Sequence, residues 1–143
     1  MFSIIIPTFQ NHRYLRMTLE SILKNSQFKH QIIVHINGDD INTRVYLDEN
    51  NIEYTISKNN LGLCKGVNKA ASLAKTDYIT YSHDDMYFLP QWDSFIYNEI
   101  KKLKDNLFFL SGTQIGPLTN NVKKTNHNFF NAGSSLENFN EPL

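Results

Sequence analysis

"NNLGLCKGVNKAASLAKTDYITYSHDDM", residues 59–86, contains the change of hydrophobic period on which the fold depends. Leu63, Val67, Ala70, Ala71 and Ala74 recur at helical spacing. The apolar, β-branched and aromatic run "DYITYS" that follows reads as a strand, and it ends at Asp84 and Asp85. One stretch therefore holds a polar loop, a helix and a strand with two carboxylates at its end.

The same alternation extends toward the N-terminus. "FSIII" reads as a buried strand stopping at Pro7, and "HRYLRMTLESILK" sets Leu15, Leu19, Ile22 and Leu23 on one helical face. "QIIVHI" is a second buried strand, "TRVYLDEN" a short helix, and "IEYTI" a third strand opening into the polar loop "SKNN". Toward the C-terminus, a helix after Pro90 turns Trp92, Phe95, Ile96, Ile100 and Leu103 inward, and "LFFL" reads as a fifth short strand. Residues 111–143 are polar and Asn-rich without periodicity. Strands alternating with helices predict an α/β fold with a mainly parallel, Rossmann-like sheet covered by helices on both faces. Ligands in such sheets bind beyond the carboxyl ends of the strands.

The 143 residues are close to one domain, and 41% hydrophobic with 13% aromatic residues suffice for a core. Fourteen basic and fourteen acidic side chains cancel, so no global field favours nucleic acid or an anionic membrane. Cys64 is the single cysteine, which excludes an internal disulfide and a Cys-based zinc cluster. It reads as an inert core thiol, and its solitude fits a reducing, cytoplasmic compartment. "MFSIIIP" has no basic n-region and is too short for a signal peptide, and no run reaches transmembrane length. The Lys101, Lys102, Lys104 cluster and the Lys123, Lys124 pair read as solvated surface.

Four strand ends then fall on one sheet edge: "PTF", "NGDD", "SKNNLG" and "SHDDM". Adjacent ionised carboxylates such as Asp84 and Asp85 are costly in a desolvated cleft unless a cation or hydrogen-bond donors compensate. A hard divalent ion on a diphosphate supplies that compensation with one or two protein carboxylates. An exposed acidic turn is the plainer alternative for the pair alone.

The segments "FSIIIPTFQNHRYLRMTLESIL", "QIIVHINGDD", "NNLGLCKGVNKAASLAKTDYITYSHDDM" and "MYFLPQWD", in that order over most of residues 2–93, resemble family 2 glycosyltransferases of GT-A fold. By that resemblance Asp84 and Asp85 match the DxD-type region, with Asp85 a metal ligand and Asp84 a contact to ribose or metal. His83 stands where many relatives have Asp, and a supporting or packing role is preferred to ligation. Pro7, Thr8 and Phe9 match the nucleotide-binding loop. Ile36 replaces an aspartate that contacts the base in many relatives, and Asn37 beside it offers a donor and an acceptor. Asn60 and Gly62 match the loop entering the third helix, whose positive end favours a diphosphate, with Lys65 as an added point charge and Asn68 a polar contact one turn later. Helix capping by Asn60 and a turn role for Asn37 are the plainer alternatives, and for Lys65 an ordinary solvated lysine is preferred.

The resemblance implies a nucleotide-sugar-dependent glycosyltransferase assisted by Mn²⁺ or Mg²⁺, transferring to a glycan, lipid-carrier or protein hydroxyl with inversion. Residues 1–110 are expected to form the donor-binding core and 111–143 the start of an acceptor-side region, truncated at the C-terminus or completed by a partner. The general base is not identified; Glu137 and Glu141 are the late carboxylates available. The rival from another class is a nucleotide- or sugar-nucleotide-binding module without turnover. A sugar-1-phosphate nucleotidyltransferase is disfavoured because "PTFQNHRYLR" has no glycine after the first strand.

Overall fold

A computed structural model describes residues 1–112, 115–116, 128–129 and 132–141. The alternation is realised as β1 (Ser3–Thr8), α1 (His12–Asn25), β2 (Gln31–Asn37), α2 (Ile41–Glu49), β3 (Glu53–Ser57), α3 (Leu63–Ala71), β4 (Ile79–Tyr81) and α4 (Trp92–Ile100). The chain divides into two compact units, Met1–Asp93 and Ser94–Leu143.

The first unit holds a four-stranded parallel sheet in the order β3-β2-β1-β4. The chain lays down β1, β2 and β3 in one direction, then returns through α3 to place β4 on the other side of β1. That reversal is a topological switch point, where the loops on either side part and leave a crevice at the carboxyl ends. Pro7 helps to open it. Ser3 N–H donates to the Tyr78 carbonyl and Ser82 N–H to the Ile5 carbonyl, so residues 3, 5 and 7 of β1 face β4. The β1–β4 register stops at Ile5 opposite Tyr81, so a proline two residues on removes no ladder bond.

Every residue of β1 is buried, as a central strand between two neighbours requires. Ile4, Ile5 and Ile6 are fully enclosed, each contributing about 1.5–3 kcal/mol of burial. Ile5, Ile33 and Ala70 form a cluster with Val67, Ala71 and Ala74 packed against it. The small residues of α3 are what let this helix lie close on β1 and β2. The Asp40 side chain caps α2 by accepting from Thr43 N–H at 3.2 Å, which starts that helix at Ile41 rather than Thr43.

The segment after the aspartates is tied down to the end of α1. Phe88 N–H donates to Ser21 Oγ (3.0 Å), Asn25 Nδ2 to the Phe88 carbonyl (2.7 Å), and Trp92 Nε1 to Ser26 Oγ (3.0 Å). The Trp92 ring lies against Phe88, His30 and Phe2 at centroid distances of 4.7, 5.2 and 6.0 Å.

Several expectations are corrected. Leu23 is 62% exposed; it lies about 100° round the helix from Ile22, while the buried stripe runs the other way through Thr18, Ser21 and Asn25. Cys64 is exposed, not a core thiol, because α3 turns Gly66 and Ala70 inward. Ile79 and Tyr81 are exposed on β4, a three-residue strand at the edge of the sheet. Phe95 is 67% exposed, and Leu103 is exposed as well. "LFFL" is not a strand: residues 107–110 pair with no described strand, and Leu107 and Phe109 stand 93% and 91% exposed. A short apolar run becomes a strand only where a neighbour offers a ladder.

The second unit contains a two-residue parallel pair, β5 (Ile115–Gly116) with β6 (Asn128–Phe129), and a 3₁₀ turn at Leu136–Asn138. Glu137 lies in that turn and Glu141 beyond it. Lys101, Lys102 and Lys104 are exposed; Lys102 pairs with Glu99 at 2.6 Å and Lys101 lies 4.4 Å from the Tyr97 ring centre. Lys123 and Lys124 lie outside the described residues. No described helix is long and apolar enough to cross a membrane.

Candidate functional site

The cleft at the switch point is an open hollow of about 370 Å³. Its floor starts at the end of β1, where Pro7 and Thr8 are buried and Phe9 emerges with its ring about half exposed. Gly38 makes room for that ring. Its φ of +100° disfavours a side chain, and a Cβ there would lie in van der Waals contact with the ring, 3.4 Å from Phe9 Cε2. Phe9 is thus an apolar plate at the cleft mouth, shaped to lie against a planar ring.

Across the cleft stands Asp84. Thr8 Oγ1 donates to Asp84 Oδ2 at 2.6 Å, joining the end of β1 to the turn beyond β4. That bond orients the carboxylate. His83 also lines the cleft, and both its ring nitrogens lie 3.3 Å from the Tyr81 hydroxyl. Burial pushes the Tyr81 phenol above its ordinary pKa, and the Asp84 and Asp85 charges push it further. It therefore stays protonated and able to donate to His83.

The third wall is the entrance to α3. Asn60 Oδ1 accepts from Gly62 N–H at 2.8 Å, an Asx turn that bends the loop, and Gly62 at φ +79° begins the helix. Among the described residues no side chain caps the first turn of α3, which leaves its leading N–H groups and positive dipole end facing the cleft. Asn37 braces the same loop: its Oδ1 accepts from Leu61 N–H at 2.8 Å and its Nδ2 donates to the Gly62 carbonyl at 3.3 Å.

The structure thus brings together Pro7 and Thr8 from β1 and Phe9 just after it, Asn37 from β2, Asn60 and Gly62 from the α3 entrance, and Asp84 beyond β4. Asp85, Lys65 and Asn68 are exposed and lie outside that lining; Asn68 borders an apolar groove with Leu63, Val67 and Tyr81 instead. Gln10, Asn11 and Leu63 line the cleft without having been singled out from the sequence. Gln10 carries a signal only in its backbone, a φ of +51° that no residue pattern discloses.

Hard carboxylate oxygens suit a small hard cation. Among the described residues no group of three His, Cys, Asp or Glu side chains comes together to hold one. The donor set therefore fits an ion that takes one or two carboxylates here and its other ligands from phosphate oxygens and water.

A parallel sheet with a polar cleft at its switch point, bounded by an oriented carboxylate and an open helix end, defines a GT-A-type α/β protein. The chain belongs to glycosyl transferase family 2, whose pattern matches residues 3–142. A curated Mycoplasma pneumoniae relative, "Uncharacterized glycosyltransferase MG025 homolog", is 33% identical over 97 residues, 62% of this chain and 32% of that protein. Two solved structures show the same fold. S. aureus TarS 1-349 in complex with UDP has a TM-score of 0.64 and 20% identity over 71% of this chain and 32% of that one. The mannosyltransferase PcManGT from Pyrobaculum calidifontis, in complex with GDP-Man and Mn²⁺, has a TM-score of 0.58 and 17% identity over 73% and 32%. The chain spans about a third of the length of these relatives.

Proposed function

We propose that this chain binds a nucleotide-sugar donor in the cleft and serves a glycosyltransferase reaction in which the sugar passes to an acceptor hydroxyl. The observation that carries the reading is the opposition of Asp84, oriented by Thr8, to the open amino end of α3 across one cleft. A nucleoside diphosphate has the parts this arrangement suits. Its base lies against Phe9, its ribose near Asp84, and its diphosphate toward the Asn60–Gly62 turn, with Lys65 as a nearby point charge. Asn37 serves the loop with both ends of its amide and contributes to the base only through the N–H it has to spare. The resident nucleotides of the UDP and GDP-Man complexes support this reading.

Asp84 and Asp85 would hold a divalent ion, Mn²⁺ or Mg²⁺, which supplies charge neutralisation for the departing diphosphate. The chain's own groups bind and orient: Thr8 fixes one Asp84 oxygen, and the first turn of α3 directs N–H groups at the diphosphate. Transfer by direct displacement inverts the anomeric centre and needs a general base at the acceptor hydroxyl; Glu137 and Glu141 are the first to mutate. The acceptor is a glycan, a lipid carrier or a protein. Binding without turnover is the second reading, favoured by Asp84 being the sole carboxylate lining the cleft among the described residues.

The test is calorimetric titration of UDP and GDP with and without Mn²⁺, on the chain and on Asp84→Asn and Asp85→Asn, followed by mass spectrometry of acceptor mixtures incubated with nucleotide sugars. Metal should tighten nucleotide binding at least about tenfold, and either substitution should remove most of that gain in a folded protein. An unchanged metal gain in both variants would sink the assignment. Binding without product in any mixture would favour the second reading.

A further inference from the structure

His35 is fully buried in β2 and is not itself part of the cleft lining, yet both its ring nitrogens are engaged. The β2–β3 register sets His35 opposite Thr55 and Asn37 opposite Ser57. Residues two apart on a strand share a face, so these four side chains line up under α3 with Ile33. Gly66 of α3 is needed there. A Cβ on it would come within 2.8 Å of His35 Cδ2 and 3.1 Å of Asn37 Nδ2, so any larger residue would displace the ring or the helix.

The hydrogen bonds define a direction. Ser57 Oγ lies 2.8 Å from the Asn59 carbonyl and 3.4 Å from Asn37 Oδ1, both of which only accept, so the Ser57 hydroxyl donates on that side, to the nearer Asn59 carbonyl. Ser57 Oγ must then accept from His35 Nε2 at 3.2 Å, which puts the imidazole proton on Nε2. His35 Nδ1 in turn accepts from the Thr55 hydroxyl at 2.7 Å. Thr55, His35 and Ser57 thus form a one-way relay that ends on the backbone of residue 59. The loop it reaches is the one Asn37 holds at Leu61 and Gly62, and Asn60 turns between them.

An aliphatic side chain would fill this position as Ile33 does two residues earlier, with no polar group to satisfy. An imidazole here gains only if its direction-specific bonds are needed. We propose that His35, acting through Ser57, is a positioning residue for the Asn59–Gly62 loop and so sets the α3 entrance to receive a diphosphate. The proposal rests on the donor-site reading above. Asn37 is its partner on the other side of the loop, so two polar side chains from one strand clamp the turn at both ends.

Ser57→Ala deletes only a hydroxyl outside the cleft lining and tests the relay with the least risk to folding. Amide hydrogen exchange at Leu61 and Gly62 should speed up about tenfold relative to β1 amides. Affinity for a nucleoside diphosphate, measured with UDP and GDP, should fall about tenfold while that for uridine and guanosine changes less than about twofold. As single changes with Ser57 intact, His35→Gln, which keeps a donor for Ser57, should show little of either effect, and His35→Leu should show both. Unchanged exchange at Leu61 and Gly62 would overturn the relay. Faster exchange with equal losses for diphosphate and nucleoside would overturn the positioning role and leave a structural one. A wild-type chain that binds neither UDP nor GDP would overturn the donor-site reading and the diphosphate half of this proposal, and the exchange measurement separates that failure from failure of the relay.

Discussion

Two buried histidines sit near opposite ends of β2, and their surroundings differ in kind. His30, at the amino end, donates from Nε2 to Asp93 at 2.9 Å and accepts the Phe2 backbone N–H on Nδ1 at 3.2 Å. It is neutral, because protonating Nδ1 would set two donors against each other. Asp93 also accepts the N–H groups of Gln27 and Phe28, each at 2.8 Å, and both side chains are sealed from solvent. His35, at the carboxyl end, pairs its ring nitrogens with the Thr55 and Ser57 hydroxyls beside Asn37, and its relay runs out to a loop at the cleft. The amino end is a closed, over-determined clamp. The carboxyl end is a chain of side-chain bonds that ends on the loop at the α3 entrance. Polar burial serves stability in the first place and alignment in the second.

The comparison breaks most visibly at Asp93. Asp93→Ala takes the shared acceptor away from two backbone N–H groups and an enclosed imidazole N–H, and should cost about 3–5 kcal/mol in urea unfolding. Nucleotide affinity per folded molecule should change less than about twofold, since the clamp lies at the far end of the strands. A large selective loss of diphosphate binding in Asp93→Ala would erase the distinction between the two ends.

Acid probes both ends together. Burial holds His30 and His35 below the ordinary imidazole value of 6.5, against the opposing pull of Asp93 on His30 and of Asn37 on His35. A base whose pKa is depressed in the folded state binds fewer protons there than when unfolded. Stability is therefore full above about pH 6.5 and falls as the pH drops through and below it. Urea midpoints from pH 8 to 5 should decline in that window, and His30→Gln and His35→Gln should each flatten the decline. A midpoint constant down to pH 5 would contradict the neutral, buried state assigned to both rings.

The smallest effect sharpens the role of burial. Glu53, also at the amino end, pairs with Lys75 and Gln31 but stands largely in water, with the two charged side chains 42% and 68% exposed. Lys75→Ala should leave the melting temperature within measurement error, because screened surface pairs contribute little. A loss approaching that of Asp93→Ala would show that polarity, not enclosure, holds this end of the sheet.

How far the sequence discloses this molecule depends on the range of the interaction concerned. The periodic segments around Leu15 to Ile22 and Val67 to Ala74 and the apolar runs of β1 and β2 could be read locally, since a strand or helix face repeats within a few residues. The polar strand ends could be read too, because a parallel sheet gathers its loops on one edge. Leu23 and Phe95 misled because a periodic apolar residue reports a face but not whether anything covers it. "LFFL" misled because a strand needs a partner that composition does not reveal.

By itself, the order of residues determined the α/β class, the family resemblance and the candidate cleft residues, for these follow from periods and motifs along the chain. Tertiary structure decided which of those residues meet. It set Asp84 against Thr8 76 positions away, left Asp85, Lys65 and Asn68 outside the cleft lining, and joined His35 to Ser57 across the β2–β3 register. The physical reason is that hydrogen bonds act within about 3 Å, whereas sequence patterning reports only which face a residue occupies. Whether two polar groups on one face touch is fixed by strand register and by the space a neighbour such as Gly66 leaves between them.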